Sequence, residues 1–464
     1  MPQPSPRLII IGLDCMEPSL VFEQWREDLP NLSRLMARGS YGRLESSIPA
    51  ITVPAWSCMM SGRDPGELGI YGFRNRRSRD YHSMGISDGG AVKVPRLWDV
   101  MGEAGWRVAV LSVPGTSPPY PVNGALVSCF LTPNTDSDFT HPPELAAQIR
   151  EWMPDFMLDV PQFRANDKAR ILGHLYSLCN QRFTLAEKLI CRDRPDLLML
   201  VDMGTDRIHH SFWKPMDPRH PQHEPDSPYQ GAIHDYYCHV DRRIGELLGQ
   251  CSDETAVLVV SDHGARPLMG GVCINEWLMA QGYLTLKKVP SEVVSLDQAA
   301  VDWGQTKVWG AGGYYARIFI NVAGREPEGI VSMAEYEALR SRLAEQLKTL
   351  TAPDGNPLAV KVFKPQDIYQ RVRGMAPDLI VYFDDLAWRS IGSVGLGALH
   401  TTDNDTGPDD ANHAPFGLMI FYDPQDPKGG QVLEGAQLYD ILPTLLARYQ
   451  LQAPSGLRGR VLPV

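Results

Sequence analysis

The chain lacks any long apolar run. Its 464 residues contain no window of 18 uncharged apolar residues, so no helix is expected to cross a bilayer. The early stretch Leu8-Ile9-Ile10-Ile11 is interrupted at Asp14 and is too short for a signal segment. Paired cysteines are absent as well. Cys15, Cys58, Cys129, Cys179, Cys191, Cys238, Cys251 and Cys273 are scattered, and no two are spaced as CxxC. Such cysteines are expected to be reduced and mostly buried, in a cytoplasmic protein. Positive charge is also short: 44 Lys and Arg stand against 55 Asp and Glu, for a formal net charge of -11. That argues against binding a nucleic-acid polymer. A bound cation can reverse such a field locally, so a small anionic substrate stays compatible. There is no low-complexity tract and no internal repeat.

What is present is the rhythm of an α/β protein. Short apolar runs alternate with helix-like stretches, the pattern of a parallel sheet covered on both faces. Strands are expected at Arg7–Leu13, Arg107–Val113, Leu197–Val201, Ala256–Val260, Leu379–Phe383 and Gly417–Tyr422. Helices are expected around Asn31–Ala37, Ala165–Arg192, Tyr229–Gln250, Ser332–Thr349 and Leu438–Tyr449. The rhythm breaks between about 270 and 375, where Gly310-Ala311-Gly312-Gly313 leads into alternating residues at Arg317–Asn321. We expect a small α+β cap there, inserted into a core formed by 1–269 and 376–464.

Four polar clusters sit at the ends of apolar runs: Asp14; Asp202 to His210; Ser261-Asp262-His263-Gly264; and Asn412-His413. Ligands of open α/β sheets gather at the carboxyl ends of strands. Carboxylate oxygens and imidazole nitrogens are what divalent ions use when no thiolate is offered. Asp206 and His210 are four residues apart and share a face on one helical turn. A lone strand-end aspartate is more often a turn or cap residue, and isolated histidines such as His220 and His223 read as solvated. The four clusters together carry the metal reading. Thr52, in Ile51-Thr52-Val53-Pro54, is the candidate nucleophile, because a metal can make its poorly reactive hydroxyl available near neutral pH. Alone it would read as a β-branched residue before a proline turn.

The order Asp14, Thr52-Val53-Pro54, Ser61-Gly62, Pro65, Gly69-Ile70, Asp206 with His210, Asp262-His263-Gly264 and His413 resembles the type I phosphodiesterase/nucleotide pyrophosphatase family of the alkaline phosphatase superfamily. The likeness spans residues 7 to about 420. It implies an alkaline-phosphatase-like, mostly parallel central sheet flanked by helices. It also implies two divalent ions, zinc with manganese as the alternative. Asp14, Asp262, His263 and Thr52 would hold one ion, and Asp206, His210 and His413 the other. Thr52 would attack phosphorus in line, and water would hydrolyse the phospho-enzyme. The partner implied is a small phosphate ester.

The sequence departs from that family in two places. Phe73 stands where its nucleotide-specific members carry a phosphate-holding asparagine, so Arg74 or Asn75 becomes the candidate for that contact. Leu68 replaces the histidine before Gly-Ile. Lys307 and Tyr314 of the cap are further candidates for an anion. Beside the metal ligands, His209, Asp202 and His400 compete with His210, Asp206 and His413. The run Asp403-Asn404-Asp405 to Asp409-Asp410 reads as a solvated loop. A sulfatase is disfavoured, since no C/S-x-P-x-R sequence overlaps the nucleophile segment. A phosphodiesterase is the leading expectation. Phosphomonoesterase, phosphonate hydrolase and phosphomutase are alternatives within the superfamily, and a non-catalytic binding protein on the same fold is a further one.

Overall fold

Leu8–Leu13, Val108–Leu111, Leu197–Asp202 and Ala256–Val260 are buried at every residue. Strands covered on both faces have no polar side and read as continuous aliphatic runs. In the computed structural model, which describes residues 5–464, these four lie at the centre of a ten-stranded mixed sheet. Its order is Gln431–Val432, Ser40–Glu45, Phe416–Tyr422, Ala256–Val260, Leu8–Leu13, Leu197–Asp202, Val108–Leu111, Gly124–Val127 and Thr140–His141, with Ala436–Gln437 also beside Ser40–Glu45. Every pairing from Ala256–Val260 to Gly124–Val127 is parallel. Helices flank the sheet, among them Lys168–Asp193, Gly204–Met216 and Ala232–Leu248, which pack on one another. Residues 1–4, part of the N-terminal reading, lie outside the described residues.

Register and direction bring the polar clusters together. Gly12 pairs with both Val201 and Val260, so Asp14, the segment after Asp202, and Asp262 leave the sheet along one edge. Phe416–Tyr422 runs antiparallel to Ala256–Val260, with Met419 opposite Val260. Its beginning therefore lies where the parallel strands end. This is how His413, which precedes a strand, arrives beside polar residues that follow strands.

A second, seven-stranded sheet runs in the order Val308–Ala311, Ala316–Ile320, Leu379–Phe383, Trp388–Ile391, Gly270–Cys273 and His400–Thr401, with Val360–Phe363 beside Leu379–Phe383. Leu379–Phe383, expected in the main sheet, belongs to this one. A fully apolar run marks a buried strand without saying which sheet buries it, and this run is covered by the separate core around Ile318, Leu339 and Leu343. The strands of the second sheet thus continue past residue 375 to Thr401.

The two sheets meet just before Thr52. Ala50 and Ile51 pack with Tyr71, Tyr315, Tyr369 and Tyr382. The Tyr382 hydroxyl accepts from the Ala50 amide at 2.8 Å, and the Tyr369 hydroxyl donates to the Ile48 carbonyl at 2.6 Å.

A candidate metal centre

Thr52 is the first residue of the helix Thr52–Ser61 rather than part of a proline turn. Ile51 is extended, with φ -152° and ψ 141°, and Pro54 occupies the first turn, where a missing N–H costs nothing. Gly62, at φ +64°, ends the helix in a left-handed conformation that favours glycine. The first amides of a helix have no intrahelical acceptor, and its dipole favours negative charge. A hydroxyl here, only 2% exposed, is well placed to carry charge or face a phosphoryl group.

Three carboxylates converge on the same spot, each with one oxygen held and one free. Trp56 Nε1 donates to Asp14 Oδ2 at 2.7 Å, the Cys15 amide to Asp262 Oδ1 at 3.2 Å, and Arg207 Nη1 to Asp206 Oδ2 at 2.6 Å. Trp56 reaches Asp14 by lying against Gly12, where a Cβ would sit 2.5 Å from its ring. The opposite oxygens, Asp14 Oδ1, Asp262 Oδ2 and Asp206 Oδ1, are buried and make no hydrogen bond among the described residues.

The histidines are turned the same way. Nδ1 of His263 lies 3.2 Å from the Gly264 carbonyl, Nδ1 of His413 lies 3.1 Å from the Ala50 carbonyl, and Nδ1 of His210 lies 2.6 Å from Asp409 Oδ1. An acceptor at Nδ1 places the proton there and leaves the Nε2 lone pair to face inward. His263 Nε2 is 3.2 Å from Asp262 Oδ2, 3.9 Å from Asp14 Oδ1 and 3.4 Å from Thr52 Oγ1. Asp206 Oδ1 is 3.2 Å from His210 Nε2 and 3.6 Å from His413 Nε2. Two groups result, Asp14–Asp262–His263 and Asp206–His210–His413. They abut through the stacked rings of His263 and His413, whose centroids are 3.8 Å apart.

Electrostatics explains what such a cluster needs. Burial, then the nearby Asp206, pushes the Asp14 carboxyl well up, and burial with Asp14 does the same to Asp262. Burial would raise Asp206 too, but His210, His413 and Arg207 hold it well below the usual carboxylate range. Burial keeps the His263 and His413 imidazoles below their ordinary value, and hence neutral. Buried polar atoms are otherwise nearly always paired. Converging orphan oxygens beside neutral imidazoles are the donor set of a hard or borderline divalent cation. Cys15 also comes near His263 and His413, but its thiol donates to the Gly264 carbonyl at 3.2 Å and burial raises it well above its ordinary value.

The competing residues are engaged elsewhere. His209 Nε2 meets the Tyr237 hydroxyl at 2.8 Å, and burial lowers the ring to about 3. Asp202 accepts from the Tyr236 hydroxyl at 2.9 Å, and burial lifts it to about 6. His400 lies in the second sheet. His220, expected in solvent, is 4% exposed, with burial lowering it to about 4. His223 Nδ1 lies 2.7 Å from the Lys214 carbonyl.

The acidic run near 403–410 is not a solvated loop throughout. Asp409 is 5% exposed and is shared by His210 Nδ1, Arg164 and Arg389. Burial would raise its carboxyl, but His210, Arg164 and Arg389 hold it well below the usual carboxylate range. Asp410 takes Lys168 and Lys214 at 3.4 and 3.3 Å. Nothing in local sequence marks Asp409, because its partner His210 is 199 residues away. Holding a ligand histidine by its far nitrogen typically matters 10–100-fold. Asp409→Asn is therefore expected to weaken divalent-ion affinity by about that factor, read by competition with a chelating dye.

The remaining candidates diverge. Arg74 lines a cavity of about 440 Å³ that also touches Ile51 and Tyr314. Asn75 is turned into its own loop, accepting from the Tyr71 amide and donating to the Gly72 carbonyl and Ser87 Oγ. Lys307 is exposed just before the strand Val308–Ala311 and does not line this cavity. Tyr314 stacks on His413, with centroids 4.0 Å apart, and its hydroxyl is 3.4 Å from His210 Nε2.

The family model for type I phosphodiesterase / nucleotide pyrophosphatase matches residues 8–409. The fold is similar to that of phosphonoacetate hydrolase from Sinorhizobium meliloti 1021 in complex with phosphonoacetate, at 16% identity over 95% of each chain with a TM-score of 0.60. It is also similar to murine ectonucleotide pyrophosphatase / phosphodiesterase 5, an inactive variant in complex with AMP. That likeness has 12% identity over 97% of this chain and 96% of that one, with a TM-score of 0.54. No curated relative matches the chain.

Proposed function

The chain belongs to the type I phosphodiesterase / nucleotide pyrophosphatase family, and from that premise we propose that this phosphoric ester hydrolase works by in-line attack of Thr52 at a two-metal centre. The observation that carries the reading is the convergence of two buried donor groups, with orphan atoms facing inward, on a hydroxyl at a helix start. Asp14, Asp262 and His263, with Thr52 Oγ1, would hold one ion. Asp206, His210 and His413 would hold the other. Zinc suits these nitrogen and oxygen donors, and manganese is the alternative. When bound, such a pair lowers the pKa of a hydroxyl and stabilises charge on the attacking and leaving oxygens.

Thr52 Oγ1 forms a bond to phosphorus as the bond to the leaving oxygen breaks. Water then cleaves the phosphothreonine and restores the hydroxyl. Trp56, Arg207 and Asp409 keep Asp14, Asp206 and His210 aimed, and the first turn of the Thr52 helix faces the negative charge that develops. The inserted region from 270, reaching the site through Tyr314 and Tyr315, shapes what enters. The substrate is a small phosphate ester. No helix among the described residues is long and apolar enough to cross a membrane, and the scattered free cysteines support a reducing, cytoplasmic setting.

The test compares bis(4-nitrophenyl) phosphate with 4-nitrophenyl phosphate on the zinc- or manganese-loaded protein. The diester is expected to turn over at least about tenfold faster, a difference of roughly 1.4 kcal/mol in barrier. A reversed ratio makes the protein a monoesterase, and no turnover of either ester overturns the phosphate-ester reading. Leu68 and Phe73, which replace the marks of nucleotide-specific relatives, favour a second reading, phosphonate hydrolysis, checked by phosphate release from phosphonoacetate.

A further inference from the structure

The cavity beside Thr52 carries more positive charge than its own acids balance. Arg74, Arg76, Arg164, Arg317 and Arg389 all line it. Three of these have carboxylate partners. Arg76 Nη2 is 2.7 Å from Glu326 Oε2, while Arg164 and Arg389 share Asp409 at 3.2 and 3.3 Å. The cavity's acids are also committed: Asp297 lies 3.4 Å from His82, and Asp405 accepts from the Gly392 amide and Ser393 Oγ.

Arg74 and Arg317 are left without a carboxylate partner among the described residues. The Arg317 guanidinium donates to the Arg74 backbone carbonyl. Burial, with the Arg74 charge nearby, depresses it. Two neighbouring guanidiniums facing a cavity gain most from a shared oxyanion, since the planar fork matches carboxylate or phosphate in pairs of hydrogen bonds. The reacting phosphoryl group belongs with Thr52 and the two donor groups. This cavity lies beyond them, reached past Ile51 and Tyr314, and Phe73, Met84 and Tyr315 give it an apolar wall.

We propose that this cavity binds a second oxyanion, a carboxylate or phosphate on the arm of the substrate beyond the reacting phosphorus, with Arg74 and Arg317 as its specificity-determining contacts. The proposal rests on the phosphate-ester reading of the Thr52 site. It narrows the substrate class to esters with a short apolar linker and a second anionic end.

Calorimetry on the zinc-loaded protein tests it with probes that need no turnover. 3-Phosphonopropionate is compared with propylphosphonate, the near-isostere lacking the carboxylate, and with the same chain ending in a second phosphonate. At least one doubly anionic probe is expected to bind about tenfold or more tightly than propylphosphonate, and the stronger of the two identifies the oxyanion. Arg317→Met and Arg74→Met are each expected to bring that ratio below about threefold. Arg74, on an exposed strand, serves if the Arg317 variant does not fold. Equal binding of all three probes by the wild-type protein overturns the proposal. A protein that discriminates the probes but leaves bis(4-nitrophenyl) phosphate intact supports the anion site and counts against the Thr52 reading alone.

Discussion

Thr52→Ala is expected to reduce kcat for bis(4-nitrophenyl) phosphate by on the order of 10³-fold or more, while the protein still binds divalent ions. Both halves follow from the geometry. Among the described residues Thr52 Oγ1 is the only hydroxyl placed against His263 Nε2, at 3.4 Å, and its loss removes the atom that would bond to phosphorus. The other donors proposed to hold the ions are side chains of residues far from position 52, and they are fixed by Trp56, Arg207, Asp409 and backbone carbonyls that the substitution leaves alone. Removing the buried hydroxyl and its neighbouring methyl also leaves the helix intact, since alanine is a good helix former. A Thr52→Ala protein that retains turnover within tenfold would assign the nucleophile to something else, with water the first candidate.

The second large effect is on stability. Removing divalent ions with a chelator is expected to lower the melting temperature by several degrees as well as to stop turnover. Asp14, Asp206 and Asp262 are buried within one small volume, and Asp14 and Asp262 are already pushed towards protonation by burial and by neighbouring carboxylates. Cations that bind only the folded protein stabilise it by mass action, by about 4 kcal/mol at a thousandfold excess over Kd. Differential scanning fluorimetry with stepwise zinc or manganese addition measures this. His413→Ala should flatten the response, because it removes an Nε2 that has no hydrogen-bond partner among the described residues. A melting temperature indifferent to chelator and to added metal would contradict the arrangement of donors.

Much of this was legible from residues alone, for identifiable reasons. Leu8–Leu13 and Ala256–Val260 announce themselves as buried parallel strands because burial on both faces leaves nothing polar along them. Asp14 and Asp262 follow from where those strands stop. Asp206 and His210 follow from helical spacing, and they do lie on one helix, Gly204–Met216. What failed was whatever depends on contacts far along the chain. Leu379–Phe383 reads as a strand but not as a strand of the second sheet, since sheet membership is set by partners such as Ala316–Ile320. Asp409 sits in a run that looks solvated, and only folding brings Arg164, Arg389 and His210 around it. Arg317 is an unremarkable strand residue until Arg74 is folded beside it. The nucleophile helix is hidden because Thr, Val and Pro are weak helix formers, and its start is set by Pro54 and by the cap tyrosines that hold Ile48 and Ala50.

Metal content measured by mass spectrometry on the purified, folded chain is the most direct test of a two-metal centre. About two divalent ions per chain are predicted for the wild-type protein and for Thr52→Ala, falling to about one when His210 is replaced by alanine. A folded wild-type protein that hydrolyses the diester while holding fewer than one ion per chain would contradict it.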